Sequence, residues 1–211
     1  MIEVIPSINH SDPAEIRRRI KLVESYVQWV HVDVSDGIFG SAKIFNDPGA
    51  LHGFKTPARI ELHLMIDKPE EHLTDWLKTP AERFLVHAES ARDFPAIAEK
   101  LRIEHRKIGC ALHPDTSPDA YARYSHLTTY VLVVGVIPGL SGQQMRPGTI
   151  EKISTLRRAY PDATIEADGG VSLALGTAKR AVQAGASALC SGYDIFSSKD
   201  IARTVERFRS L

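Results

Sequence analysis

Val30-His31-Val32-Asp33-Val34-Ser35-Asp36-Gly37 is the stretch from which the fold can be read. Side chains alternate across a β-strand, so Val30, Val32 and Val34 share one face while His31 and Asp33 share the other. The valine face reads as packed under helices. The opposite face carries an imidazole and a carboxylate side by side, and Asp36-Gly37 ends the strand just beyond. Such a pair is costly to bury without a partner, and a metal ion suits both groups. Taken alone, the stretch reads first as a satisfied core histidine and a turn aspartate. Residues elsewhere in the chain change that reading.

Outward from this strand, short β-type runs alternate with helical patterns to both ends of the chain. Strands are expected over 3–8, 27–34, 59–65, 83–87, 107–112, 129–136, 163–168 and 186–191. Helices are expected between them, several opened by a capping residue before proline, as in Ser11-Asp12-Pro13 and Thr116-Ser117-Pro118. The helix after strand seven is expected from Ser172. Eight βα units in 211 residues with no linker or charge block predict one (β/α)8 TIM barrel domain over 1–211. An open doubly wound sheet is the rival, but no G-x-G-x-x-G follows the first strand.

Composition narrows the function. Hydrophobic residues make up 43% and charged residues 25%, and Lys+Arg balances Asp+Glu at 26 each. Nothing in that balance points to nucleic acid or a membrane surface as partner. The longest apolar runs, such as 130–136, are strand-length, and the amino terminus enters a strand-like run at once without a leader pattern. Cys110 and Cys190 lie in apolar runs and read as buried thiols of a cytoplasmic protein.

In such a barrel the active site lies at the carboxyl ends of the strands. The inward faces there offer His31 and Asp33 on strand two, Glu61, His63 and Met65 on strand three, and Glu166 and Asp168 on strand seven. His31, Asp33, His63 and Asp168 form a two-histidine, two-carboxylate set of the kind that holds one divalent metal ion: Zn, Fe, Mn or Co. Gly139, Gly142, Gly169, Gly170 and Gly192 follow strands six to eight, where barrels often bind phosphate through backbone N–H groups. Each glycine alone fits a tight turn; together they favour a phosphate cradle. His87 ends strand four and reads either as a substrate contact or as a histidine satisfied by backbone.

These motifs, taken in order, resemble the ribulose-phosphate 3-epimerases. The residues that carry the resemblance are Pro6-Ser7-Ile8, 31–37, His63-Leu64-Met65-Ile66, 138–143, Asp168-Gly169-Gly170-Val171 and Ser191-Gly192-Tyr193. The resemblance implies a barrel of ribulose-phosphate-binding type, one divalent metal and inversion at C3 of a ketose phosphate. It implies interconversion of D-ribulose 5-phosphate and D-xylulose 5-phosphate through a metal-stabilised enediolate, as in the pentose phosphate pathway, by a cytoplasmic homo-oligomer. Its metal ligands fall on His31, Asp33, His63 and Asp168, and its two acid/base residues on Asp33 and Asp168. Ser7, Met65, Gly139, Leu140, Ser141, Gly142, Gly170, Gly192 and Tyr193 fall on substrate and phosphate positions. Two acid/base groups suit the chemistry, since a proton must leave one face of C3 and return to the other. Glu61 and Glu166 are expected one layer deeper, either orienting His63 and the Asp168 strand or as buried charges paired with a barrel Lys or Arg.

The pattern departs at Ser35 and Val134, where methionine is usual, and at Tyr193, where a small residue is usual. Leu140 and Ser141 stand where Phe and Gly are more common. A hexulose 6-phosphate 3-epimerase is therefore the alternative substrate reading, and a non-catalytic sugar-phosphate or metal-binding barrel the alternative role. A lyase or decarboxylase on the same barrel is disfavoured by the intact aspartates and histidines.

Overall fold

All eight expected strands form and close on one another. The structure is a computed structural model describing residues 1–211. Its strands are β1 Glu3–Ile8, β2 Trp29–Ser35, β3 Arg59–Met65, β4 Ala81–His87, β5 Lys107–Leu112, β6 Tyr130–Val134, β7 Thr164–Asp168 and β8 Ala188–Ser191. They pair in sequence order, all parallel, with β8 returning to β1. The helices are α1 Pro13–Val23, α2 Pro69–Trp76, α3 Phe94–Ile103, α4 Thr149–Ala159, α5 Thr177–Ala184, α6 Tyr193–Phe196 and α7 Ile201–Arg209. The short helices expected after β2 and β5 are 3₁₀ helices over Pro48–Leu51 and Pro118–Arg123. No helix is long and apolar enough to cross a membrane.

Capping chemistry starts several helices where the sequence places it. Asp12 accepts from the Ala14 N–H with Pro13 in the first turn, and Asp93 and Asp200 cap α3 and α7 by accepting from the Ala96 and Arg203 N–H groups. Several boundaries differ from expectation, those of β4, β6, β7 and β8 by one or two residues. β2 begins at Trp29 rather than residue 27. α5 begins at Thr177 rather than residue 172, because Gly176 lies in the left-handed region (φ 70°) and keeps the preceding turn out of the helix. The short α6 is not signalled by any periodic pattern.

The outward strand faces and inward helix faces make one layer of 43 buried hydrophobic residues, among them Val30, Val32 and Val34. At about 1.5–3 kcal/mol for each fully buried aliphatic side chain, this layer dominates the folding free energy. The barrel interior is split. Leu85, Ala111, Tyr130, Leu132 and Val134 fill the β4–β6 side with apolar groups. The β2, β3 and β7 side instead carries buried His31, Asp33, Glu61, His63, Glu166 and Asp168. Stability from the outer layer lets the interior hold this column of polar groups.

Candidate active site

Strand register sets the heights of the polar groups. Ser7 is the Cα partner of His31 across β1 and β2, and Asp33 is the partner of His63 across β2 and β3. Asp168 ends β7 and completes the group from the far side of β8 and β1. One ligand atom from each of His31, Asp33, His63 and Asp168 lies within 4.8 Å of all the others. His31 Nε2 is 3.2 Å and His63 Nδ1 3.0 Å from Asp33 Oδ1, and His63 Nδ1 is 3.9 Å from Asp168 Oδ2. Two imidazole nitrogens and two carboxylates, all buried, are the donor set a borderline divalent ion takes, so the residues present fit the metal that the sequence implies.

The second oxygen of Asp33 faces elsewhere. Oδ2 accepts from the Ser7 hydroxyl at 3.2 Å and from Asn9 Nδ2 at 3.3 Å. Asn9 is not among the expected site residues; its one signal is its place just past the end of β1. Asp33 and Asp168 titrate in opposite directions. Burial pushes the Asp33 carboxyl up, but hydrogen bonds from His31 and His63 outweigh it and leave it well below the usual range. Burial, opposed by His31 and reinforced by the charge of Asp33, holds the Asp168 carboxyl above its ordinary value.

Below this group lies a polar layer whose wiring corrects the expectation. Glu61 orients His31, not His63: its Oε1 is 2.7 Å from His31 Nδ1. The reason is register, since Glu61 is the Cα partner of His31 on the neighbouring strand. Its other oxygen pairs with Arg83, whose Nε donates at 2.6 Å. Burial raises the Glu61 carboxyl, yet the Arg83 charge and the His31 hydrogen bond bring it down to about 2. Arg83 lies between the rings of Trp29 and Tyr130, 4.0 and 3.9 Å from their centroids. Glu166 likewise faces His31 Nδ1, at 3.5 Å, and accepts from the Tyr130 hydroxyl at 2.9 Å. Burial and the nearby Glu61 charge push it up to about 7.

His87 is fully buried and turns into the barrel, with Nε2 2.9 Å from His63 Nε2 and Nδ1 3.1 Å from Glu89 Oε2. It is a side-chain contact of His63 rather than a histidine satisfied by backbone. Burial lowers its pKa to about 4, against the pull of Glu89, and keeps the ring neutral.

The glycine loops follow β6, β7 and β8, three adjacent strands. Gly139 and Gly170 have φ of 109° and 69°, and a Cβ on Gly170 would strike the backbone of Met145. A Cβ on Gly192 would come within 2.7 Å of the Ser7 carbonyl, which brings this loop against the end of β1. Asp194 ties two of the loops together by accepting from the Leu173 N–H at 2.7 Å and from Ser172 Oγ. Leu140, Ser141 and Gly142 are exposed, and Tyr193 is 78% exposed, standing away from the barrel interior. Met65 is buried at the end of β3, beside Ser35 in register. The Ser35 hydroxyl donates to the Ala42 carbonyl at 2.8 Å, so it is held by its own loop.

A (β/α)8 barrel with histidines, carboxylates and glycine loops gathered at one mouth has the candidate site where enzymes of this fold carry theirs. The sequence profile of the ribulose-phosphate 3 epimerase family matches residues 3–196. The chloroplastic ribulose-5-phosphate-3-epimerase of Arabidopsis thaliana is 32% identical over 99% of this chain and 76% of its own length. The ribulose-phosphate 3-epimerase of Bacillus subtilis is 29% identical over 99% of both chains. The chain therefore belongs to the ribulose-phosphate 3 epimerase family, carbohydrate isomerases that act on phosphorylated sugars. Among solved structures, a 3-hexulose-6-phosphate synthase superposes with a TM-score of 0.69 at 16% identity, covering 100% of this chain and 99% of that one. An orotidine 5'-monophosphate decarboxylase from Sulfolobus solfataricus gives 0.65 at 14%, covering 100% and 97%. These two likenesses establish the barrel fold alone.

Proposed function

We propose that the chain is a metal-dependent 3-epimerase that interconverts D-ribulose 5-phosphate and D-xylulose 5-phosphate. The observation that carries this reading is the convergence of His31, Asp33, His63 and Asp168, with ligand atoms within 4.8 Å of one another. These four side chains would hold one divalent ion, Zn, Fe, Mn or Co. Bound there, the ion supplies Lewis-acid stabilisation of negative charge on the substrate's oxygens.

The chain's own residues account for the proton transfers. Asp33 keeps Oδ1 among the histidines and leaves Oδ2 for the C3 proton, aimed by Ser7 and Asn9. Asp168 carries the second proton from a different strand. The two carboxyls, carried on different strands, would take opposite roles in one direction of turnover, base and acid. Glu61, backed by Arg83, fixes the His31 ring. Backbone N–H groups of the loops at Gly139–Gly142, Gly170 and Gly192 would hold the phosphate, and Met65 would exclude water beside the reacting carbon.

A hexulose 6-phosphate substrate is the second reading, favoured by the short side chains Ser35 and Val134 at the ends of β2 and β6. A panel of ketose phosphates assayed after metal reconstitution separates the two. The highest kcat/KM is expected for the pentulose. A clear preference for a hexulose 6-phosphate overturns the first reading, and tight metal binding with no turnover of any ketose phosphate overturns both in favour of a non-catalytic barrel.

A further inference from the structure

The contact between His63 and His87 has a direction, and Glu89 sets it. His63 faces the ligand set with Nδ1, which lies 3.0 Å from Asp33 Oδ1. To ligate a metal through that nitrogen, a neutral imidazole must present its lone pair there and carry its proton on Nε2. His63 Nε2 lies 2.9 Å from His87 Nε2, so His87 must accept at that position and keep its own proton on Nδ1. His87 Nδ1 lies 3.1 Å from Glu89 Oε2, and an ionised carboxylate can only accept. The reverse arrangement would set a lone pair of His87 against the carboxylate and turn an N–H of His63 toward the ligand set. With an ion held by the ligand set, the lone pairs of His63 Nδ1 and Asp33 Oδ1 would both be directed at it, whereas in the reverse arrangement His87 Nδ1 and the Glu89 carboxylate would still face each other as acceptors with no donor between them.

We propose that His87 and Glu89 are positioning residues that hold His63 as its Nε2–H tautomer and so leave Nδ1 as the metal-ligating nitrogen. This rests on the reading of His31, Asp33, His63 and Asp168 as a metal site. The surroundings hold both partners in place. The His87 ring stacks on His63 with centroids 5.0 Å apart, and Phe39, from the loop after β2, covers it at 4.7 Å. Glu89 is fixed by its other oxygen, which accepts from the His113 N–H at 2.9 Å. The two ligand histidines are therefore anchored differently. His31 meets its carboxylate, Glu61, directly, whereas His63 reaches Glu89 through an intervening imidazole.

The experiment titrates Co²⁺ into the chelator-stripped full chain, reading the visible band of the ion and its affinity by competition with a chelator. His87→Phe keeps a ring but offers no acceptor, and His87→Gln restores one in its amide oxygen. Glu89→Ala and Glu89→Gln repeat the comparison one link further out, at a side chain 25% exposed, where a fold defect in the buried His87 variants cannot confuse the result. The expected result is a loss of about 10–100-fold in Co²⁺ affinity, with a changed band, for the Phe and Ala variants, and near wild-type affinity for the Gln variants. Wild-type affinity and spectrum in His87→Phe or Glu89→Ala would overturn the proposal. Equal losses in the Gln variants would also overturn it, since packing rather than an acceptor would then be at work. No Co²⁺ binding by the wild-type chain would instead sink the metal reading beneath it.

Discussion

Ser7 donates its hydroxyl to Asp33 Oδ2 at 3.2 Å, on the oxygen turned away from both histidines. The two oxygens of Asp33 thus have separate surroundings, one among metal-type ligands and one beside hydroxyl and amide donors from the end of β1. In the proposed reaction, this division would let Asp33 serve both as ligand and as proton carrier.

Ser7→Ala removes one of the two donors that aim Oδ2 and leaves Asn9. A hydrogen bond to a charged group is worth about 1.5–3 kcal/mol, so kcat is expected to fall roughly 10–100-fold. Thermal stability and Co²⁺ affinity should stay near wild type, because Oδ1 and the histidines are untouched. Steady-state kinetics of the metal-loaded protein check this; an unchanged kcat would deny Oδ2 its role.

The Arg83–Glu61 pair is buried, and removing one partner leaves the other charge without compensation. Arg83→Met is expected to cost about 3–5 kcal/mol in urea denaturation. Arg83→Met combined with Glu61→Gln should recover most of that loss, since the substituted amide is neutral and its oxygen can still accept from His31. A double variant no more stable than the single one would show that Arg83 acts by packing between Trp29 and Tyr130.

Tyr193 is exposed and makes no side-chain hydrogen bond. Tyr193→Ser should change stability by no more than about 0.5 kcal/mol, as for most surface substitutions. Its position beside Gly192 places any kinetic effect on KM for the phosphorylated substrate, with kcat unchanged. A large fall in kcat would place the tyrosine at the reacting carbons instead.

Much of this architecture is legible in the sequence because strands have period two. The faces of β2, β3 and β7 follow from alternation alone, and they bring His31, Asp33, His63 and Asp168 into one mouth once eight βα units close. β1, β3 and β5 also begin and end where the residue pattern places them. Alternation does not state how neighbouring strands are staggered. Glu61 is two residues from His63 on the same strand, and its true partner, His31, emerges only from the β2–β3 register. The link from His63 to His87 depends in the same way on how β3 and β4 bring two rings face to face. α6 escapes a sequence reading because four residues after a glycine turn are too few to show a helical period. Asn9 escapes it because it lies past the strand, where alternation has ended.

In the proposed reaction, Asp33 and Asp168 exchange the C3 proton with the metal bound. The most direct test incubates D-ribulose 5-phosphate with the reconstituted chain in deuterium oxide and follows C3 by NMR. The expected result is deuterium at C3 in both epimers, loss of that incorporation on chelation and its return with added divalent metal, and a fall of at least about 100-fold in Asp33→Asn and in Asp168→Asn. No incorporation with any of the four metals, or incorporation unimpaired in either aspartate variant, would contradict it.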